Sequence, residues 1–318
     1  MLRLLKIFLV ISIIFSFSAC SNVTKKPTPK VQQKTEKQVN KKEPVITLFI
    51  NETGEKKSIP IEEYLEGVVA AEMDVNWPPE ALSAQAILAR TFTMKKISQG
   101  GVKARGTDAS TSVEEFQAYD PKKINNAVKV AVHNTKGKVV LYKGKYINAW
   151  FYSCSGGKTA SSAIEGLEYR HEESPYIKSV KDPGITAAPE NIKAWTVEVP
   201  LDAVKAAVFK ATRADPGSIN NVSIATKGPS GIATKLKFNN TLVSAAAFRL
   251  AVGSDKMRSA FITDFFIKAG KLHIAGKGFG HGVGMSQWGA KVLASQGKKA
   301  DEIINYFYKD VNIKKDWK

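Results

Sequence analysis

Apolar positions recur at helical spacing over residues 61–98, and the rest of the chain is arranged around that stretch. In residues 61–73, Leu65, Val68, Val69 and Glu72 fall on one side of a helix, because steps of three, four and seven residues return to the same face. Pro60 suits its first turn. Pro78 and Pro79 form a corner, and the pattern predicts a second helix from 79 or 80 to 98, stopped by Gly100 and Gly101. Leu82, Ala86, Ala89, Arg90, Thr93 and Ile97 share one of its faces. Ala81, Ala84, Ala86 and Ala89 leave room for a close helical neighbour.

Alternation replaces helical spacing elsewhere. Val45, Thr47 and Phe49 alternate as in a half-buried strand, residues 51–55 read as a hairpin turn, and residues 57–59 as the return. Residues 108–113 form a polar loop, and Ile124, Ala127, Val128 and Ala131 stripe an amphipathic helix over 122–134. A hairpin is predicted from strands 138–142 and 146–152 around Lys143-Gly144-Lys145, on its β-branched and aromatic content and its Gly turn. Further strands are read at 195–199, 222–226 and 234–238, with helices at 201–210 and 244–252. A strand from Lys271 then runs into a Gly-dense turn that opens a helix over 285–295, and a last amphipathic helix covers 300–308. The sum is a mixed α+β fold with helices packed on largely antiparallel strands. Residues 183–270 can be read either as part of one domain or as a subdomain.

Two places carry candidate chemistry. Glu72 lies on an apolar stripe, where lost solvation disfavours its charged form and raises its pKa. A carboxyl still protonated near neutral pH is suited to general acid catalysis. The competing reading is a structural ion pair with Arg90 on the next helix. In the turn, Gly276, Gly278, Gly280, Gly282 and Gly284 allow the backbone to approach a ligand closely. That would leave His281, Ser286 and Gln287 projecting into a cleft. Equally, the turn is structural and His281 is satisfied by a backbone group. Gly278-Phe-Gly280 lacks the strand–helix–strand context and the acidic partner of a dinucleotide site.

The ends and the charge place the chain. Arg3 and Lys6 precede an apolar run from Ile7 to Phe17, followed by Ser18-Ala19-Cys20. Such a start reads as an export signal, too short for an ordinary span. Small residues before Cys20 resemble a bacterial lipoprotein signal, with Cys20 as the lipidated N-terminus. Residues 21–44 are polar and Lys-rich and read as a flexible tether before a domain over 45–318. Of the net charge of +18, residues 1–20 carry +2 and the tether +5, which leaves +11 on the domain. Outside the cytoplasm, cell-wall polymers and anionic lipid are the matching partners. The export signal and the lack of a recognisable motif argue against nucleic acid. With Cys20 lipidated, Cys154 has no partner for an intramolecular disulfide.

Three stretches together resemble the SpoIID/LytB family. They are Glu63-Tyr-Leu-Glu-Gly-Val-Val-Ala-Ala-Glu72-Met with Glu80-Ala-Leu-Ser-Ala-Gln85-Ala-Ile-Leu-Ala-Arg90-Thr91, Phe151-Tyr-Ser-Cys-Ser-Gly-Gly-Lys-Thr159, and Gly280-His281-Gly-Val-Gly-Met-Ser-Gln287-Trp-Gly-Ala290. The likeness runs over about residues 45–313. It implies an extracytoplasmic peptidoglycan lytic transglycosylase, acting on glycan strands stripped of their peptides, with Glu72 as the catalytic residue; the lipoprotein-like start, a departure from members anchored by a transmembrane helix, makes the chain lipid-anchored or secreted. The groups expected to hold sugar hydroxyls and acetamides are Gln85, Arg90, Ser153, Ser155, His281, Ser286 and Gln287. Some members bind zinc through His and Cys near the Ser-Gly-Gly loop. Here Tyr152 stands where His is common, and Cys154 with His133, His171 or His281 has no supporting spacing, so no metal or other cofactor is expected. Two alternatives from other classes stay open: a wall-binding activator of an N-acetylmuramoyl-L-alanine amidase, and a lipoprotein adaptor in which both motifs are scaffolding.

Overall fold

The computed structural model describes residues 41–318. The signal-like start, Cys20 and all but the last residues of the tether lie outside the described residues. Strands β1 (Val45–Phe49) and β2 (Lys56–Pro60) form the first hairpin and feed directly into helix α1 (Ile61–Glu72). Helix α2 (Pro79–Ser98) follows, with Pro79 in its first turn, where a missing N–H costs nothing.

α2 is the axis of this half of the molecule. Residues 81–91 of it are all buried, on every side and not on one face. A helix without an amphipathic stripe is stable only when neighbours surround it. They are α1, α3 (Asn126–Asn134), α9 (Gln287–Ser295) and α10 (Ala300–Phe307), together with the sheet built on β4 (Lys138–Tyr142). Two-residue β3 (Ala109–Ser110) pairs parallel to β1.

The hairpin expected over 138–152 forms only at its tip. β4 meets β5 (Lys145–Tyr146) at two residue pairs, Leu141 with Tyr146 and Tyr142 with Lys145. The chain then leaves the sheet: Ile147 and Ala149 are buried, and the Asn148 N–H donates to the Tyr176 hydroxyl at 2.8 Å. β6 (Phe151–Tyr152) pairs instead, in parallel, with β13 (Met285–Ser286) of the Gly-rich turn. The other edge of β4 is taken by β14 (Asn312–Lys315), which sequence periodicity misses.

Three short helices, α4 (Ala163–Leu167), α5 (Gly184–Ala187) and α6 (Glu190–Lys193), carry the chain into the second half. There β7 (Trp195–Pro200) pairs antiparallel with β12 (Lys271–Gly276), which also pairs with β11 (Ile262–Lys268). A second antiparallel sheet is built from β8 (Val222–Lys227), β9 (Ala233–Phe238) and β10 (Thr241–Ser244). Helices α7 (Leu201–Thr212) and α8 (Ala245–Val252) pack on these strands. The fold is α+β, with mostly antiparallel pairing, and residues 41–318 belong to one compact unit. Among the described residues no helix is long and apolar enough to cross a membrane.

Candidate functional site

Glu72 ends α1 and keeps part of its surface exposed. Its Oε1 accepts the Ala118 N–H at 3.0 Å, and its Oε2 accepts from Gln287 Nε2 at 3.4 Å. Burial pushes the Glu72 pKa up, and the two hydrogen bonds, which favour the carboxylate, oppose that shift without cancelling it. Its partners are thus an amide N–H and a carboxamide, not a second acid and not Arg90.

The Ala118 N–H is held in place by α1 itself. Tyr119 stacks on Tyr64 with ring centroids 5.6 Å apart, and the Asp120 N–H donates to the Gly67 carbonyl at 3.0 Å. A side chain at Gly67 would overlap the Tyr119 ring. This explains a glycine in a helix interior, where it is unfavourable relative to Ala. In an open helix Gly→Ala gains about 1 kcal/mol. Here Gly67→Ala is expected to lose about 1–3 kcal/mol through overpacking, read by urea unfolding. A gain would show that Tyr119 can shift without cost.

Next to Gln287 in sequence, Trp288 meets a second indole. Trp77, on the corner between α1 and α2, lies 4.7 Å from Trp288 between ring centroids at an interplanar angle of 61°. The Lys291 ammonium sits 4.4 Å from the Trp288 centroid and 5.1 Å from that of Trp77. All three side chains are partly exposed.

The Gly-rich turn is scaffold around this site. The Val283 N–H donates to His281 Nδ1 at 3.1 Å, so the ring proton is on Nε2, which faces the Phe151 carbonyl at 3.1 Å. Burial, and secondarily the nearby Arg249 charge, lower the His281 pKa to about 3, so the ring stays neutral. His281 therefore joins the turn to β6 and has no nitrogen to offer a ligand. Gly284 has φ +79°, and a side chain there would collide with the Trp150 carbonyl and the Tyr308 ring. Ser286 is fully buried and caps α9 by accepting the Gly289 N–H at 3.1 Å. Ser155 is buried too, its hydroxyl accepting from the Gly157 N–H and its own N–H donating to Asp182. The expectation that Ser286 faces a cleft is corrected accordingly, while Ser155 and His281 line a small cavity with their polar atoms engaged by the protein.

Arg90 is corrected in the same way. Its guanidinium is fully buried, forks onto the Glu62 carboxylate, and donates to the Lys138 carbonyl at 3.0 Å. Glu62 Oε1 also accepts the Gly137 N–H at 3.0 Å and Trp317 Nε1 at 2.9 Å. Arg90 ties α1, α2, β4 and the C-terminal segment together. Gln85 is fully buried, and neither atom of its amide has a partner among the described residues. Ser153 is partly exposed, and its carbonyl accepts the Trp288 N–H at 3.0 Å, which sets it at the start of α9. Of the expected set, the structure brings Gln287 to Glu72 and Ser153 to Trp288. The Ala118 N–H, Trp77, Trp288 and Lys291 were not anticipated from the sequence. Gly67, a glycine inside a helix, is the local signal that could have pointed to a close approach on α1.

Zinc does not fit these residues. Cys154 and His281 line one small cavity, but both ring nitrogens are engaged, and burial with the Asp182 charge pushes the Cys154 thiol up, away from the thiolate a metal needs. His133 and His171 are exposed elsewhere, and among the described residues no three His, Cys, Asp or Glu side chains converge.

A family model described as Stage II sporulation protein, SpoIID, matches residues 50–142, which include Glu72, Gly67 and Ala118. The chain is 35% identical over 272 residues to Stage II sporulation protein D of Bacillus amyloliquefaciens, covering 81% of this chain and 75% of that one. It is 33% identical over 282 residues to Stage II sporulation protein D of Bacillus subtilis, with the same two shares. The chain belongs to the SpoIID family. It is also 30% identical over 293 residues to the amidase enhancer of Bacillus subtilis, where the match spans 77% of this chain and 39% of that protein. The matched segment carries Glu72, its backbone donor and Trp77, while α9, beyond it, supplies Gln287 and Trp288.

Proposed function

We propose that this SpoIID-family chain is a peptidoglycan lytic transglycosylase working outside the cytoplasm in cell-wall remodelling or sporulation. It cleaves the bond between N-acetylmuramic acid and N-acetylglucosamine in strands without stem peptides. The observation that carries the reading is the Glu72 carboxyl: raised in pKa by burial, partly open to solvent, and held by donors that leave it the only acid in its hydrogen-bonded set.

The reaction needs one acid. Protonated Glu72 delivers its proton to the bridging oxygen as the C1–O bond breaks. The resulting carboxylate then takes the proton of the muramic acid C6 hydroxyl as that oxygen bonds to C1. The product is a 1,6-anhydro sugar, Glu72 ends protonated, and no water is consumed. Most glycosidases divide this work between two carboxyl groups. A carboxyl with a raised pKa, meeting donors that can also hold its anion, is suited to both halves.

The test is incubation of the full chain with purified, peptide-free glycan strands, followed by mass spectrometry of the ends. Anhydro ends support the reading. Reducing ends would make the protein a hydrolase. Binding without cleavage would favour a second reading, activation of an amidase, which the likeness to an amidase enhancer supports; an amidase-stimulation assay then decides.

The same reading fixes a pH response. The acid form is needed, so cleavage declines as pH rises through the Glu72 pKa. The Gln287 amide favours the carboxylate, so Gln287→Leu raises that pKa further. The alkaline limb of kcat/KM is expected to move to higher pH in Gln287→Leu, with a lower plateau. An unmoved limb would separate Gln287 from the acid.

The basic, apolar and small residues up to Cys20 place the protein, in this proposal, on the outer face of the membrane through a lipid on Cys20, with the +11 domain facing anionic wall polymer.

A further inference from the structure

We propose that Trp77, Trp288 and Lys291 form a subsite for a muramic acid residue whose lactyl carboxylate is free, and that Lys291 reads that carboxylate. The inference rests on the glycan-cleaving reading above and names how it would select its substrate.

Geometry makes the case. Gln287, Trp288 and Lys291 stand on one helix. Gln287 and Lys291, four residues apart, share a face, and Trp288 is three residues from Lys291. Gln287 touches the Glu72 carboxylate, and Lys291 is carried on α9 about one helical turn from Gln287.

The lysine is anchored and yet unpaired. Two indoles fix the ammonium by cation–π contact. Among the described residues the ion pairs engage other lysines and arginines, and Lys291 is in none of them. A cation held between aromatic faces with no counter-ion is free to make a charge-assisted hydrogen bond to an anion brought by a ligand.

The indoles supply the other half. A pyranose ring presents an apolar face of C–H bonds, whose positive hydrogens suit the negative face of an aromatic ring. A partly exposed indole pair is a platform for a sugar. Of the two sugars in a glycan strand only muramic acid carries a carboxylate, on its lactyl ether. A stem peptide turns that carboxylate into an amide and removes the charge. Lys291 thus separates stripped from substituted strands by charge.

The experiment measures binding, so it does not depend on turnover. The full chain carrying Glu72→Gln is titrated calorimetrically with a glycan tetrasaccharide bearing free lactyl carboxylates, with the same tetrasaccharide methyl-amidated at those groups, and with chitotetraose, which lacks them. The free acid is expected to bind roughly five- to tenfold tighter than the amide. With Lys291→Met added, that preference should vanish while amide and chitotetraose affinities hold. Lys291→Arg should keep the preference. No preference in the Glu72→Gln chain itself overturns the proposal even if every Lys291 variant misfolds. So does a preference that survives Lys291→Met, or an equal loss on all three ligands, which would make Lys291 a packing element between the indoles. Failure of the cleavage reading shows separately, as strands bound with preference but left uncut.

Discussion

Replacing Glu72 by Gln is expected to abolish glycan cleavage, by about 10²- to 10⁴-fold, while leaving a folded and, at alkaline pH, more stable protein. The amide keeps the shape and keeps an oxygen to accept the Ala118 N–H, and the Gln287 amide can turn to present its own oxygen to the new NH2 group. What is lost is the proton. The stability change follows from the direction of the Glu72 shift. The folded protein binds this proton more tightly than the unfolded chain, because burial penalises the carboxylate. The stability linked to the acid is complete below the ordinary carboxylate range and is lost as pH rises through the raised folded value. Gln never ionises and does not lose it. The melting temperature of Glu72→Gln should therefore equal that of wild type near about pH 4 and exceed it near about pH 8. An inactive variant that is destabilised at both pH values would make Glu72 a structural acid. An active one would remove it from the chemistry.

Much of this site was legible because it is local. The stripe Leu65, Val68, Val69, Glu72 put a carboxyl on the buried side of α1, and burial is what raises its pKa. Gly67, five residues before, is a helix-interior glycine that could have marked the approach of another segment, but which segment was not readable, since Tyr119 reaches it from a loop with no periodicity. The alanines of α2 indicated close packing; that the helix is enclosed on all sides depends on α9 and α10, which come some two hundred residues later. Propensity misled at residues 146–152. These β-formers would suit a hairpin, but the strand partner of Phe151 and Tyr152 is β13, more than 130 residues on, and tertiary pairing outweighed local preference. His281 was undecidable from sequence for a similar reason. Its fate rests on a backbone N–H two residues away and a carbonyl from β6, neither of which has a side-chain signature. The aromatic wall was hidden entirely, because Trp77 and Trp288 meet only in the fold.

Arg90 gives the largest expected effect on stability and shows how a motif residue can be structural. It lies on the face of α2 that the sequence offered to Glu72, but the acid it meets is Glu62, at the start of α1. Glu62→Ala would leave a fully buried guanidinium without the carboxylate it forks onto, with only the more remote Glu43 charge remaining, a loss expected at about 3–5 kcal/mol. The same carboxylate serves Gly137 and Trp317, so the cost includes two further donors left without their acceptor. Replacing both partners, Glu62→Leu with Arg90→Leu, removes the buried charge and should recover part of the loss, but not the part due to Gly137 and Trp317. Urea unfolding of the full chain measures all three variants. The outcome also bears on the site. If Arg90 acts only through Glu62, the folded fraction of Arg90→Leu, at a temperature where it persists, binds peptide-free glycan as wild type does. Weaker binding with stability intact would return Arg90 to the cleft. A fall in stability with affinity unchanged leaves recognition to residues around Glu72 and makes the Arg90–Glu62 pair the clamp that holds α1, and the acid at its end, against α2.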